Sequence, residues 1–462
     1  MNGGLSLADL LDNVATAARL AGAGLGAQTA RIRAGLLARC ARELLAAGCG
    51  TVQRGRAIFV PGRVEVLGKH TDYAGGRSLI AAAEQGIGLV AVPREDAIIR
   101  AWAVDVSERR EFPFSAGLVP VAGHWSNYPM TVARRLARNF PGPLRGANLA
   151  FAGDLPIAAG MSSSSALMVA CFMALAAANG LRERDEFREN LSTAEDLAEY
   201  LGCIENGQTF HGLAGDTGVG TFGGSEDHMA MLCSRPGMLS GYSFCPARLE
   251  RRIPMPAGHV FAIASSGVAA EKTGPAMEKY NRASRLAAEV AQAWRQATGR
   301  PDPHIAAALA SARPAAVAER IRGILAVAPA GPLASKELVS RFEHFLAENE
   351  EIIPAAGDAL DAGDLAAFGR LADRSQELAE TLLGNQVPET RFLARCARDL
   401  GARAASGFGA GFGGSVWALV RRDDAQEFCV LWADEYRESF PVAAERAAFF
   451  LTGAGPAAIE MA

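Results

Sequence analysis

Apolar residues follow helical spacing at the start of the chain and strand-like spacing after it. Between residues 5 and 48 they recur every three or four positions, from Leu7 through Val14 to Leu45, until Gly48 and Gly50 end the pattern. This spacing predicts an N-terminal helical extension. Short β-rich runs follow, cut by Gly and Pro without a repeated strand-helix-strand period, so we expect a mixed sheet. These runs cover residues 57–60, 64–67, 87–92 and 98–104.

Further along, long helical stretches alternate with single strands. The pattern predicts helices at 126–139, 163–179 and 183–206, a strand at 260–264, Ala-rich helices within 275–395, a strand at 415–420 and a helix near 423–437. No fixed repeat period indicates a solenoid. A chain of 462 residues favours two or three domains. We therefore predict two α+β domains after the extension, with boundaries at 1–50, 51–245 and 246–462.

Composition and charge narrow the class of protein. Half of the residues are apolar and 21% are charged, which is typical of a folded chain. Lys and Arg total 46 against 50 Asp and Glu, for a net charge of -4. This balance gives no electrostatic reason to expect nucleic acid or an anionic membrane as the main partner. Small molecules are therefore the expected partners, and the oligomeric state stays open.

Cysteine spacing and hydropathy favour a cytoplasmic protein. The eight cysteines include no C-x-x-C pair and no His at zinc-finger spacing, which argues against a disulfide framework or structural zinc. No Lys or Arg precedes Arg19, so the charged start of a secretory signal is missing. The longest purely apolar run, 166–178, has thirteen residues. A membrane span needs about 20, so we expect none.

Three glycine-rich segments carry candidate chemistry, and the first is residues 61–76, PGRVEVLGKHTDYAGG. This signature segment gathers an Arg, a Lys, a His and an Asp between glycines. Loops collect polar residues in any case, so a solvated turn between two strands is the alternative interpretation.

The second, residues 153–166, GDLPIAAGMSSSSA, is a loop of small residues that runs into a helix. Small side chains let a polyanion approach the backbone, and a helix start offers unpaired N–H groups and partial positive charge. The hydroxyls of this serine loop could also reach Mg²⁺, which prefers oxygen ligands. The alternative is a Ser N-cap on a buried helix.

The third, the glycine segment 407–415, GFGAGFGGS, formally contains G-x-G-x-x-G. A dinucleotide fingerprint follows a strand and opens a helix, whereas here a helical pattern precedes and a strand pattern follows. We therefore reject that interpretation, and turn glycines remain the structural alternative. A Walker A loop is also absent, because Lys272 lacks the preceding glycines and Lys69 is followed by His.

In this order the three segments resemble the motifs of the GHMP kinases, and the signature segment is similar to the galactokinase signature, P-G-R-V-N-x-I-G-E-H-T-D-Y-x-G-G. The serine loop resembles L-P-x-G-A-G-L-S-S-S-A, and the glycine segment resembles G-G-G-F-G-G, so the resemblance spans about 57–420. It implies an α+β, two-domain GHMP-kinase fold with a ribosomal-protein-like N-terminal domain and a ferredoxin-like C-terminal domain. It also implies a kinase that uses ATP and Mg²⁺ to phosphorylate galactose or a similar sugar, with the anomeric C1 hydroxyl as the expected acceptor.

The resemblance also implies a catalytic pair. Residues 223–228, GGSEDH, are similar to the galactokinase segment C-G-x-M-D-Q, which assigns Asp227 as the catalytic aspartate and Arg63 as its partner. Such a carboxylate can orient or accept the proton of a sugar hydroxyl, while the cation offsets developing charge. Glu226 is a nearby competitor, and a surface-loop carboxylate is the structural alternative.

Binding residues are implied in the same way. The metal-binding set is Ser163, Ser164 and Glu205, although the connection 212–222 is longer than in the family. The sugar-binding set is Lys69, His70, Asp72, Gly224 and Tyr280. The nucleotide-binding set is Gly160, Ser162, Ser163, Ser164, Ser165, Gly411 and Gly413.

Two departures from the family pattern concern specificity. Lys69 stands where the family has a sugar-binding glutamate, and Glu65 stands where it has an asparagine. A cation at position 69 would favour a uronic acid or another modified sugar. Lys69 could instead point into solvent or pair with Glu65.

Two other functions remain as alternatives. A non-catalytic sugar sensor of the galactokinase type has a shortened Ser-rich loop, whereas Ser162 to Ser165 are present here. Mevalonate-type and homoserine-type kinases lack the G-x-H-T-D-Y segment. A sugar kinase is therefore preferred.

Overall fold

The computed structural model describes residues 4–156, 159–269, 275–327 and 335–461. Its strands are β1 (Leu5–Ser6), β2 (Arg54–Leu67), β3 (Arg77–Pro93), β4 (Ile98–Ala103), β5 (Glu108–Pro113), β6 (Ala147–Gly153), β7 (Met238–Ser243), β8 (Arg248–Pro254), β9 (His259–Ser265), β10 (Ala404–Phe408), β11 (Ser415–Arg421), β12 (Ala448–Thr452) and β13 (Ile459–Met461).

Helices account for most of the remaining chain. They are α1 (Asn13–Gly22), α2 (Ala27–Ala46), α3 (Asn127–Asn139), α4 (Ser163–Ala178), α5 (Asp185–Asn190), α6 (Ala194–Asn206), α7 (Glu226–Cys233), α8 (Pro275–Thr298), α9 (Ile305–Ala310), α10 (Pro314–Val327), α11 (Ser335–Leu346), α12 (Ile353–Asp361), α13 (Leu365–Leu378), α14 (Pro388–Asp399), α15 (Ala425–Ser439) and α16 (Pro441–Ala444). Two π-helical segments, Ala347–Ile352 and Ala379–Leu383, extend α11 and α13.

The first sheet has the strand order β1-β2-β3-β6-β4-β5, and β7 and β8 extend it from β3. Most neighbouring strands are antiparallel, but β4 and β6 are parallel. The prediction of a mixed sheet is therefore confirmed. Strand β2 is also paired along its other edge, by β1 at residues 54–55 and by β13 at residues 57–59.

Alternation along β2 assigns the two faces of this sheet to different helices. Successive strand residues point to opposite faces. Accordingly Ala57 and Phe59 pack with the core of α1 and α2, whereas Ile58 and Val60 pack with the core of α3, α4 and α6. The N-terminal extension is therefore a packed helical layer on the sheet.

The run 166–178 belongs to α4, which is buried on all sides in that second core. A helix that is apolar all round is explained by such burial. No helix among the described residues is long and apolar enough to span a membrane.

The second sheet has the order β10-β11-β9-β12, with every pairing antiparallel. Helices α14 and α15 cover one face, where Trp432 lies fully buried. Trp417 of β11 points to the other face and packs with α12 and α13. This arrangement agrees with the expected strands at 260–264 and 415–420 and the helix near 423–437.

Several predicted elements differ in their bounds. The predicted helix 183–206 is wrong as a single helix, because the chain breaks between α5 and α6, where Thr193 caps α6 in a capping box with Asp196. The runs 57–60 and 64–67 form one strand with a register shift at Pro61. The first helix begins at Asn13, since Asp12 accepts hydrogen bonds from the backbone N–H groups of the first turn.

Candidate active site

The three segments, distant in sequence, come together around one pocket, which the signature and glycine segments line and the serine loop borders. Arg63 Nη1 donates to the carbonyl of Gly160 at 2.6 Å, which joins the signature segment to the serine loop. Ser415 Oγ donates to the carbonyl of Ala159 at 2.6 Å, which joins the glycine segment to the same loop. The signature segment is buried over most of its length, so its interpretation as a solvated turn is wrong. The pocket is lined by Arg63, Glu65, His70, Asp72, Glu205, Asn206, Thr221, Gly223, Gly224, Glu226, Asp227, His228, Tyr280, Gly409 and Ala410.

A buried ion pair between Arg63 and Asp227 lies in this pocket. Arg63 follows the register shift of β2, and Asp227 is in the first turn of α7, where a carboxylate is favoured by the helix dipole. Arg63 Nε donates to Asp227 Oδ1 at 2.7 Å, and the Arg63 side chain is only 5% exposed. Burial opposes the charge of Arg63, but the nearby carboxylates, Asp227 first, outweigh it and raise the pKa of the guanidinium. The arginine is therefore a permanent cation.

Two further carboxylates surround the same guanidinium. Glu226 Oε1 lies 3.5 Å from Arg63 Nε, and Glu65 Oε2 lies 3.7 Å from Arg63 Nη2. Glu226 also accepts a hydrogen bond from Ser78 Oγ at 2.5 Å. Burial raises the pKa of Glu226 well above its usual value, and the charge of Glu65 raises it further. Burial also raises the pKa of Glu65 itself. Both glutamates are therefore buried against the guanidinium of Arg63 and fix its position.

Four of the five predicted sugar-binding residues come together on one wall. The ring centroids of His70 and Tyr280 are 5.0 Å apart. Asp72 Oδ2 accepts from the backbone N–H of Glu226 at 3.3 Å, and burial raises the pKa of this carboxyl. A Cβ at Gly224 would lie 2.4 Å from Asp72 Oδ2, so glycine is required by that close approach.

Lys69 does not join this wall. Its Nζ donates to Ser375 Oγ at 2.9 Å and to Ser406 Oγ at 2.8 Å, and the residue is 1% exposed. Burial lowers the pKa of Lys69, and the charge of Glu348 opposes that shift. The structure therefore contradicts the expected position in solvent, because two serines from the second half of the chain accept from the buried ammonium. Among the described residues Lys69 forms no ion pair with Glu65, and its contact with the sugar stays a prediction.

The serine loop forms the N-terminus of α4. Ser162 is the N-cap residue, with φ of 60°, and its Oγ is buried without a hydrogen-bond partner among the described residues. Ser163 and Ser164 follow at the half-buried first turn. Ser165 Oγ donates to Glu205 Oε2 at 2.8 Å and also lies 3.3 Å from Asp227 Oδ2. Residues 157 and 158 lie outside the described part.

Glu205 on α6 and the serine hydroxyls are oxygen donors of the kind that Mg²⁺ takes. His228 Nε2 is 3.3 Å from Glu205 Oε2. Within the described ranges, no group of three or more His, Cys, Asp or Glu residues could hold a metal ion. The donors therefore fit a Mg²⁺ that is held partly by nucleotide phosphates, and they do not form a cage of protein ligands alone.

The glycine segment closes the pocket from the second sheet. Gly409 and Ala410 line the pocket, whereas Gly411 packs against Asn385 and Gly413 against Val268. A Cβ at Gly411, where φ is 75°, would be 2.4 Å from the carbonyl oxygen of Asn385. The structure thus gives Gly411 a packing role, and its contact with nucleotide stays a prediction, as does that of Gly413.

Some pocket residues have no signal in the sequence. Asn206 and Thr221 line the pocket, and Ser78 binds Glu226 from β3, yet none of them falls in a recognisable motif. Ser78 reaches the site because β3 packs close to α7, and this contact between distant segments is visible only in the folded structure.

Family comparisons agree with this architecture. Family profiles described as GHMP kinases N terminal domain, GHMP kinases C terminal and galactokinase galactose-binding signature match residues 127–223, 358–438 and 50–93. A galactokinase of Chloroflexus aggregans (strain MD-66 / DSM 9485) is 30% identical over 375 residues, which cover 81% of this chain and 86% of the relative. A galactokinase of Actinobacillus pleuropneumoniae serotype 3 (strain JL03) is 27% identical over 391 residues, covering 83% and 90%.

Solved structures share the fold. Lactococcus lactis galactokinase complexed with galactose superposes with a TM-score of 0.73 at 22% identity, covering 90% of this chain and 98% of that one. Methanococcus jannaschii mevalonate kinase superposes with a TM-score of 0.55 at 14% identity, covering 86% and 98%.

The fold and the pocket thus define a GHMP kinase, and the expected α+β, two-domain architecture is confirmed. Within that class the chain belongs to the galactokinase family. It is an ATP-dependent phosphotransferase.

Proposed function

We propose that this protein transfers the γ-phosphate of ATP to the anomeric C1 hydroxyl of galactose or a galactose-like sugar. The observation that carries the proposal is the buried Arg63–Asp227 pair, 2.7 Å between Nε and Oδ1, in a pocket lined by the signature and glycine segments. The serine loop contacts the same arginine through the carbonyl of Gly160. Phosphoryl transfer depends on positioning and charge neutralisation more than on covalent chemistry of the protein. A fixed carboxylate beside a fixed cation supplies both.

In the proposed reaction Asp227 orients the attacking hydroxyl and accepts its proton. Arg63, held by the carbonyl of Gly160 as well as by Asp227, offsets negative charge on the transferred phosphoryl group. Asp72, His70 and Tyr280 would hold the other hydroxyls of the sugar. Glu65 and Glu226, which also line the pocket, lie against the guanidinium and keep it in place.

The nucleotide would lie against the start of α4. Ser162 offers a buried hydroxyl without a partner among the described residues, and the first turn offers backbone N–H groups. Ser163, Ser164 and Glu205 would hold Mg²⁺, which neutralises phosphate charge when it is bound. Gly160, Ser165, Gly411 and Gly413 complete the proposed nucleotide-binding set.

A sugar acid is the less favoured substrate. Lys69, the cation that would select it, does not line the pocket, and among the described lining residues Arg63 faces five carboxylates. Those carboxylates are Glu65, Asp72, Glu205, Glu226 and Asp227. A substrate carboxylate would have to compete with Asp227 for Arg63. We therefore favour a neutral sugar.

The intact catalytic pair also favours an enzyme over a sugar-binding regulator. We place the enzyme in the cytoplasm, because all eight of its cysteines are free thiols, which suits a reducing compartment.

A substrate panel tests the proposed function. Galactose, galactosamine, galacturonate, mevalonate and homoserine would each be offered with Mg-ATP, and ADP release would be measured. The phosphorylated position would then be found by NMR. We expect galactose or another neutral sugar to be phosphorylated at C1. Sugar binding without ADP release would support the regulator, and preferred turnover of galacturonate would refute the choice of a neutral sugar.

A further inference from the structure

Arg341, on α11, is buried behind the sugar wall of the pocket. It is 1% exposed, and its Nη2 donates to the carbonyl of His70 and, at 3.4 Å, to Tyr73 Oη. Its Nε donates to the carbonyl of Ala283 at 3.4 Å, one turn after Tyr280 on α8. In the described ranges no carboxylate lies within ion-pair distance of Arg341. Its Nη1 lies 3.3 Å from His344 Nδ1 on the same helix, and its other hydrogen bonds are directed at the elements that carry His70, Tyr73 and Tyr280.

The direction of the hydrogen bonds follows from the donors. A guanidinium only donates, so Tyr73 Oη accepts from Arg341 and has its own hydrogen free to donate. Burial raises the pKa of Tyr73 to about 12, so this hydroxyl keeps its hydrogen at neutral pH. His70 Nδ1 lies 2.8 Å from Tyr73 Oη and accepts that hydrogen.

In a neutral imidazole ring the other nitrogen, Nε2, then carries the proton. His70 Nε2 lies 3.0 Å from the carbonyl of Ala410 and donates to it. A continuous hydrogen-bond relay therefore runs from Arg341 through Tyr73 and His70 to the carbonyl of Ala410. In each of its three hydrogen bonds a donor meets an acceptor. It runs from a helix of the second half of the chain, through the signature segment, to the glycine segment.

We propose that Arg341 is a positioning residue of the sugar pocket, which acts through Tyr73 to fix the Nε2–H tautomer of His70 and so holds Ala410 over the pocket. That the pocket binds a sugar rests on the proposed function, whereas the hydrogen bonds of the relay are independent of it. The serine loop and Glu205 are not part of the relay. Its loss should therefore weaken sugar binding and leave ATP binding unchanged.

Tyr73→Phe is the central test, because it removes the hydroxyl and keeps the ring over which Arg341 Cζ lies at 5.8 Å. We expect the KM for the sugar to rise about tenfold, the effect of one unpaired buried polar group, and the KM for ATP to stay within about twofold. ¹⁵N NMR of histidine-labelled protein should show His70 leaving the Nε2–H tautomer for a mixture.

Two variants accompany it. Tyr200→Phe is the matched control, because Tyr200 is fully buried and its hydroxyl donates to Asn139 Oδ1, also at 2.8 Å. It should keep the kinetics and the His70 tautomer of the wild type. Arg341→Lys keeps the charge but loses the planar fork of donors, and it should change the same two readouts as Tyr73→Phe.

The outcomes are separable. An unchanged His70 tautomer in Tyr73→Phe, or equal rises of both KM values, would overturn the relay. If the wild type phosphorylates no sugar, the proposed function has failed, while the NMR comparison of Tyr73→Phe with Tyr200→Phe still decides whether the relay exists.

Discussion

Replacing Asp227 by asparagine separates the proposed chemistry from binding, because the amide keeps the shape of the side chain but cannot accept the proton. The hydrogen bond that Arg63 Nε donates to this side chain, at 2.7 Å in the wild type, then has a neutral acceptor instead of a charged one. Hydrogen bonds to charged groups contribute about 1.5–3 kcal/mol, against roughly 1 kcal/mol for neutral ones. Loss of base assistance lowers the rate by a further factor of about 10² to 10⁴.

The fold should tolerate this change. Arg63 keeps its hydrogen bond to the carbonyl of Gly160 at 2.6 Å, and the asparagine Oδ1 can still accept from Nε, so the buried guanidinium keeps its hydrogen-bond partners. We therefore expect kcat to fall at least about 100-fold, with dissociation constants for sugar and ATP within about threefold of the wild type. ADP release under saturating substrates measures kcat, and titration calorimetry measures both dissociation constants.

Asp216→Asn is the matched control for Asp227→Asn. Asp216 is similarly buried and pairs with Arg134 Nε at 2.9 Å, but it does not line the pocket. Its kcat should stay within about twofold of the wild type, since it takes no part in proton transfer. A kcat within tenfold of the wild type for Asp227→Asn would refute the assignment of Asp227 as the catalytic base.

Three further variants test other parts of the site. Lys69→Met removes the ammonium whose charge acts on the buried Glu348, so urea unfolding should show a loss of about 3 kcal/mol. The preference between galactose and galacturonate should stay unchanged, and a reversed preference would show that Lys69 contacts the sugar. The raised pKa of Glu226 means that its contribution to stability is complete below its usual pKa of 4.5 and is lost as pH rises through the folded value. The Glu226→Gln variant should therefore gain stability relative to the wild type as pH rises from 5 to 8 in urea unfolding, and a constant difference would contradict this. Ser164→Ala should raise the KM for Mg-ATP about fivefold or more and leave sugar affinity unchanged in calorimetry, whereas equal losses would indicate unfolding.

The sequence predicted those parts of the site in which neighbouring residues of one motif determine the local backbone conformation. Glycines and small residues indicated the close approaches of the serine loop and the glycine segment, and the resemblance paired Arg63 with Asp227. The break before α6 was also readable, because Thr193 and Asp196 have capping-box spacing.

The orientation of Lys69 could not be predicted in this way. Its two hydroxyl partners lie 306 and 337 residues further along the chain, in α13 and β10. No local pattern reports which distant side chains will surround a buried ammonium. The same holds for Arg341, which is 271 residues from His70.

The pairing of β2 on both sides has a consequence for synthesis of the chain. The strand that carries Arg63 is covered early by residues 5–6, but its segment at residues 57–59 finds its partner only in residues 459–461, about four hundred residues later. At roughly 5–20 residues per second, translation leaves that edge uncovered for about 20 to 80 seconds. An uncovered strand edge is a template for pairing with other chains. The nascent protein is therefore exposed to association with other chains at the strand that later positions Arg63.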